Sequence, residues 1–146
     1  MLNKTVTTVD EWKNIASEII NSIDVNGEGT ITIALSGDLG TGKTTLVQQI
    51  AVLLGVTEPV TSPTFNILKR YETTDQKFST LMHMDAYRLD SDEELIPLRF
   101  TELLQEPKTL FCIEWAEKIK KSLPQDTIYF HLEIDKDNQH TIQRVS

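Results

Sequence analysis

The stretch Gly37-Asp38-Leu39-Gly40-Thr41-Gly42-Lys43-Thr44-Thr45 satisfies the pattern G-x-x-x-x-G-K-[ST] through Gly37, Gly42, Lys43 and Thr44. Glycines at those positions let the backbone fold so that successive amide N–H groups face a phosphate chain. An apolar, β-branched run, TITIALS at 30–36, precedes the stretch, and a helical-looking run follows it. A helix starting there adds its positive dipole end to the same anion. In such a loop Lys43 bridges the β and γ phosphates as a point charge, and the Thr44 hydroxyl sits on Mg²⁺. All nine residues, 37 to 45, are therefore candidate nucleotide contacts.

A phosphate loop also needs a carboxylate at the end of a neighbouring apolar strand, to orient the metal through its water shell. Two runs qualify: TLMHMD ends in Asp85 and TLFCIE ends in Glu114. Spacing does not rank them, so Thr44, Asp85 and Glu114 together form the candidate metal-side set. Aspartate is the usual residue on the magnesium side, which assigns Asp85 there and leaves Glu114 to orient or deprotonate an attacking water. Lys43, Asp85 and Glu114 are the candidate catalytic residues. His83, two positions before Asp85, points to the same side of its strand, either as a neighbour of the site or as a packing histidine. Arg88 has two readings, a phosphate contact or a salt bridge holding its loop.

The segment TSPTF at 61–65 combines the hydroxyls of Thr61, Ser62 and Thr64 with a proline that stiffens the turn. It can act as a switch over the γ phosphate. Trp115 follows Glu114 and should point away from it if the strand continues; it is either a core aromatic or a platform for the base. The N-K-x-D segment of guanine-selective GTPases is absent, since Asn3-Lys4-Thr5-Val6 fails at its last position. That favours ATP. The chain has four arginines, at 70, 88, 99 and 144. A missing arginine contact can slow phosphoryl transfer by about 10³–10⁵, so slow hydrolysis is expected of the isolated chain.

The elements that must position these groups follow from periodicity. KTVTTV reads as a short first strand, and Asp10 as the cap of a helix through WKNIASEIINSI, where Trp12, Ile15, Ala16, Ile19, Ile20 and Ile23 keep helical spacing. NGEG at 26–29 is turn material, and TITIALS is a buried strand. A helix follows from about Gly42 to Leu54, with Gly55 at C′. A strand forms within 61–72, TTDQK is a hairpin turn, and FSTLMHMDAY is the next strand. SDEELIPL opens on a capping box, Ser91 to Glu94, and breaks near Pro97, with a short FTELL helix after it. KTLFCIEW is an apolar strand, AEKIKKSL a short helix, DTIYFHLEI an alternating strand and HTIQRVS a last edge strand. Buried parallel-type strands mixed with hairpins predict a three-layer α/β/α P-loop NTPase fold around one central mixed sheet.

Length, 146 residues, sets the prior at one domain spanning 1–146. Net charge is 14 − 22 = −8. An acidic chain is poorly suited to gripping a polyanion unaided, so no DNA partner is expected and any RNA must be held mainly by another protein. The lone Cys112 excludes an intrachain disulfide and fits a reducing compartment. The start, MLNKTVTTVDEW, lacks the apolar core of a signal peptide, and no apolar stretch approaches the roughly 20 residues needed to cross a bilayer. A cytoplasmic protein without a membrane partner is expected.

GDLGTGKTT, TSPTF, HMDAYRL and IEW, in this order and in so short a chain, resemble the TsaE family of small bacterial P-loop ATPases, earlier known as YjeE or YdiB. The resemblance covers the chain from its first helix to its last strand, and HMDAYRL with IEW is its most specific part. It implies a part in forming N6-threonylcarbamoyladenosine at position 37 of tRNAs that read codons beginning with A. It further implies binding to a TsaB–TsaD heterodimer that does the carbamoyl transfer, with ATP hydrolysis resetting that complex. By the same resemblance Lys43 and Thr44 bind phosphate and metal, and Asp85 is the magnesium-side acid. Thr64 belongs to the switch, Glu114 supports hydrolysis, and Trp115 lies beside the nucleotide. Thr41 replaces a common alanine, and EELIPLRF carries proline where the family commonly has a glycine-containing turn. Two other readings compete: a small-molecule kinase, disfavoured because no arginine-rich lid is present, and a nucleotide-gated binding module with negligible turnover.

Overall fold

The computed structural model describes residues 3–24, 29–63 and 67–145. Seven strands form one sheet in the order β1-β7-β6-β2-β5-β4-β3. They are β1 (Asn3–Val6), β2 (Thr30–Ser36), β3 (Leu68–Glu72), β4 (Thr80–Asp85), β5 (Thr109–Glu114), β6 (Ile128–Ile134) and β7 (His140–Arg144). The centre is parallel: β2 pairs with β5 and β6, and β4 with β5. The flanks are antiparallel, β3 on β4 at one side and β7 between β6 and β1 at the other. Every residue of β5 is buried and so is most of β2, as befits strands covered on both faces. The expected α/β sheet with helices is what forms.

Period-two alternation sorts the core into two layers. On one face Ile33, Leu35, Leu81, Leu110 and Cys112 pack under helices α1 (Val9–Ser22) and α2 (Lys43–Leu53). On the other, Ala34, Met82, Met84, Phe111 and Ile113 pack under shorter pieces. These are a 3₁₀ turn at Asp92–Leu95, helix α3 (Phe100–Leu103) and a kinked 3₁₀ segment at Ala116–Ser122. Burial of a large apolar side chain contributes about 1.5–3 kcal/mol. Trp12, Ile15, Ile19 and Ile20 are all buried, so α1 is held by its stripe and not by helix propensity alone.

Four local expectations need correction. The cap of α1 is Thr8, not Asp10: the Thr8 hydroxyl accepts from Glu11 N at 3.3 Å. Thr8-Val9-Asp10-Glu11 is itself a capping-box sequence, and β1 accordingly stops at Val6. HTIQR is not an edge strand, because β1 zips antiparallel onto its free side; the edges are β1 and β3. AEKIKKSL is 3₁₀ with a kink at Ile119 (φ −128°, ψ 27°) where an ordinary helix was expected. SDEEL forms only one 3₁₀ turn, although its Ser91–Glu94 box is made as anticipated. Gly55 takes φ +82° directly after α2, as a C′ glycine should. Most of NGEG and all of Thr64-Phe65-Asn66 lie outside the described residues. No described helix is long and apolar enough to cross a membrane.

Candidate functional site

The phosphate-loop stretch leaves the C-terminal end of β2 and enters α2 at Lys43. Gly42 caps that helix at φ +111°, and an added Cβ would stand 2.4 Å from the Trp12 ring. Gly37 has φ +139°, and a Cβ there would meet the Leu132 carbonyl at 2.3 Å. Both positions are thus closed to a side chain, by conformation and by space. Thr41 stiffens the loop by donating to Asp38 O at 2.8 Å. His140 of β7 contacts the Thr41 carbonyl through Nδ1 at 3.0 Å. The Gly37 amide donates to the Glu117 carboxylate at 3.2 Å.

Lys43 is buried and curls back on its own loop, donating to Gly37 O and, at 2.9 Å, to Asp38 O. Its Nζ also lies 4.2 Å from the centre of the Trp115 ring, a cation–π distance. Burial pulls the Lys43 ammonium below its ordinary pKa, and the nearby carboxylates of Glu114, Glu117, Asp85 and Asp38 oppose that shift. The group is therefore a concentrated positive charge held by weak partners, able to exchange two carbonyls for phosphate oxygens.

The two strand-end acids stand opposite each other in register across β4 and β5, and both are buried. Glu114 takes the Thr44 hydroxyl at 2.8 and 2.9 Å through its two oxygens. His83 Nε2 meets the same carboxylate from within the sheet. The chain Thr44–Glu114–His83 thus joins the start of α2 to two strands. Its far end, His83 Nδ1, is buried with no hydrogen-bond partner among the described residues. Asp85 accepts from Tyr87 N at 2.9 Å and from the Ser62 hydroxyl at 3.4 Å. Ser62, alone of the described switch residues, reaches the cleft lining. Thr61 is exposed outside it, and Thr64 lies outside the described residues. Arg88 is exposed.

Trp115 departs from the expectation that it points away from Glu114. The strand does not continue: Trp115 takes φ +56°, which turns the indole back into the cleft beside Lys43. Tyr87 packs on it with ring centres 4.9 Å apart. Its place in the lining comes from strands β4 and β5 ending in register.

These groups line one cleft of about 450 Å³. Glu114, Asp85, Trp115 and Tyr87 form one end, and Gly42, Lys43, Thr44 and Thr45 the floor. Thr7, Thr8, Val9, Trp12 and His140 form the other end, which sequence reasoning missed. Two carboxylates and a hydroxyl at the first end suit Mg²⁺, which binds through one or two carboxylates and substrate phosphates and keeps several waters. Among the described residues no group of three or more His, Cys, Asp or Glu could hold a metal unaided.

Comparison with known proteins finds relatives for this chain. The family model described as "TsaE: Threonylcarbamoyl adenosine biosynthesis protein TsaE" matches residues 6–144. A Treponema pallidum protein named tRNA threonylcarbamoyladenosine biosynthesis protein TsaE is 37% identical over 142 residues, covering 97% of this chain and 96% of its own. A Rickettsia felis protein of the same name is 37% identical over 131 residues, 89% of this chain and 71% of the relative. The crystal structure of Bacillus subtilis YdiB superposes with a TM-score of 0.76 at 28% identity, over 98% of this chain and 83% of that one.

Proposed function

The chain belongs to the TsaE family, and we propose that residues 1–146 act as one P-loop ATP hydrolase serving N6-threonylcarbamoyladenosine formation on tRNA. Its place in that biosynthesis follows from the family. Our own reading is the chemistry and its setting: ATP with Mg²⁺ in the cleft, a TsaB–TsaD-type heterodimer as partner, and cytoplasmic tRNAs that read codons beginning with A as the target. The observation that carries the hydrolase reading is the Thr44–Glu114–His83 chain at the mouth of the phosphate loop.

The loop amides receive the phosphates, and Lys43 releases Gly37 O and Asp38 O to take β and γ oxygens. That exchange removes the charge from the Trp115 face and neutralises part of the triphosphate. Mg²⁺, once bound with the nucleotide, would supply charge neutralisation between the β and γ oxygens, with Thr44, Asp85 and Glu114 as the residues able to hold its shell. Asp85 is fixed by the Tyr87 amide and the Ser62 hydroxyl, which suits a metal-side acid. Glu114 gives up the Thr44 hydroxyl and turns its carboxylate to a water in line with the γ phosphorus. The water oxygen bonds to phosphorus and its proton passes to the Glu114 carboxylate, the bond to the β–γ bridging oxygen breaks, and ADP and phosphate leave, the proton going on to solvent. A net charge of −8 assigns the grip on tRNA to the partner proteins.

The test is nucleoside analysis of tRNA from cells depleted of this protein and supplied with wild type or Glu114→Gln. Loss of threonylcarbamoyladenosine, restored by wild type and not by the variant, is the expected result. Full restoration by a variant that hydrolyses no ATP would replace the hydrolase with a nucleotide-gated binding module.

A further inference from the structure

Residues 114–117 touch the phosphate-loop stretch at three points. Glu114 takes the Thr44 hydroxyl, the Trp115 ring lies by Lys43 Nζ, and the Glu117 carboxylate accepts from the Gly37 amide at 3.2 Å. The hydrolysis derived above uses Glu114 and leaves Glu117 without a part. The chain quits the strand direction at Trp115, where φ is +56°, and two residues later Glu117 stands at the start of the loop.

The frame under Glu117 is fixed. Ala116 and Ile119 are fully buried, Lys118 N donates to Trp115 O at 3.1 Å, and Lys118 Nζ donates to Tyr87 O at 2.7 Å. Gly37 is buried, so its amide needs a partner within the protein, and an exposed acid supplies it. That acid acts in two ways. As an acceptor it pins Gly37. As a negative charge it attracts Lys43 and opposes an incoming triphosphate. Burial lowers the Lys43 pKa, and after Glu114 it is Glu117 that most opposes this.

The two actions matter at different stages. Gly37 is held twice, through its carbonyl by Lys43 and through its amide by Glu117. When Lys43 moves to phosphate oxygens, only the second of these holds remains. We propose that Glu117 is a positioning residue of the phosphate loop: its carboxylate keeps Gly37 in place while Lys43 changes partners, and its charge draws Lys43 back when the nucleotide leaves. This rests on the Lys43 exchange in the proposed function. It makes Glu117 a brake on phosphate affinity and an aid to release, although it touches no reacting atom.

Two variants separate the actions. Glu117→Gln keeps an oxygen acceptor for the Gly37 amide and removes the charge, whereas Glu117→Ala removes both. Calorimetric titration with MgATP, and with magnesium tripolyphosphate, is run at low and at high salt. Glu117→Gln should bind both ligands about two- to fivefold tighter than wild type at low salt, the range of an exposed charge interaction. The gain should vanish at high salt, and release of mant-ADP should slow by a similar factor at low salt. Glu117→Ala should bind both ligands about tenfold or more weakly than Glu117→Gln at either salt, because a buried amide is left unpaired. Glu117→Gln no tighter than wild type at low salt, as for a residue that only braces the fold, overturns the proposal. So does Glu117→Ala matching Glu117→Gln. Lys43→Ala should weaken both ligands; if it weakens neither, the phosphate-loop reading fails whatever Glu117 does.

Discussion

The acidic end of the cleft joins buried and half-buried side chains by hydrogen bonds, whereas the α1 end combines aromatic packing with hydrogen bonds at the surface. Glu114 and Asp85 are fixed by hydrogen bonds, to Thr44, His83, Tyr87 N and Ser62. Thr7–Val9, Trp12 and His140 are fixed by Trp12 packing over Gly42 together with the exposed hydrogen bonds of the helix cap and the His140 contact on Thr41 O. Buried polar groups carry large electrostatic consequences when altered, whereas an exposed apolar contact changes affinity in modest steps. On the proposed reading, alterations at the buried acids bear first on turnover, and alterations of Lys43 bear on phosphate binding.

The sharpest way to break this division is Glu114→Gln. Loss of a positioned base slows such reactions by about 10²–10⁴, so single-turnover hydrolysis should fall by that order while ATP affinity by calorimetry stays within a few-fold. A matching loss of affinity would merge the two ends. Asp85→Asn sharpens the division of labour between the acids: the magnesium concentration giving half-maximal hydrolysis should rise about tenfold or more, as expected when one carboxylate leaves a metal shell. If Glu114→Gln raises it and Asp85→Asn does not, the roles are exchanged.

Gly42→Ala tests the shared floor. A left-handed φ in a residue with Cβ costs about 1–3 kcal/mol, and overpacking against Trp12 costs about 1–3 kcal/mol more. Urea denaturation should show a loss of about 2–6 kcal/mol. His83→Ala removes the inner support of Glu114. Hydrolysis should fall about tenfold with KM nearly unchanged, and His83→Gln, which can still donate to the carboxylate, should recover part of it; equal loss in both variants would mean that His83 only fills space. The smallest effect lies away from the cleft, at the Arg70–Glu106 pair. The hydrogen bond from Arg70 holds the Glu106 carboxyl below its ordinary pKa. Its contribution is present above the ordinary carboxylate range and disappears as pH falls through the lowered value. Both groups are partly exposed, so Arg70→Ala should cost about 1 kcal/mol or less at neutral pH and still less in acid.

The two ends also differ in how legible they were in the sequence. The phosphate loop is contiguous, and its strand–loop–helix setting follows from TITIALS and the helical run after it. Asp85 and Glu114 were legible as strand ends because each closes an apolar run. Their meeting with His83 and Thr44 was not, since it depends on the register of β4 on β5. The α1 wall was hidden for a stronger reason. His140 and Thr41 are 99 residues apart in the chain, and Trp12 reads as one more position on a helical stripe. Its contact with Gly42 is visible only once α1 lies across α2. Likewise Trp115 looked like a strand residue, because no local signal in IEWAE announces a left-handed turn. Long-range pairing also turned HTIQR from an edge into an interior strand.

The most direct measurement is a crystal structure with a non-hydrolysable ATP analogue and Mg²⁺. The triphosphate should lie on the amides of 42–45 with Lys43 Nζ moved from Gly37 O to the β and γ oxygens. The γ phosphate should face Asp85 and Glu114. A ligand outside this cleft, or one lying in it with its triphosphate away from the phosphate loop, would contradict the account.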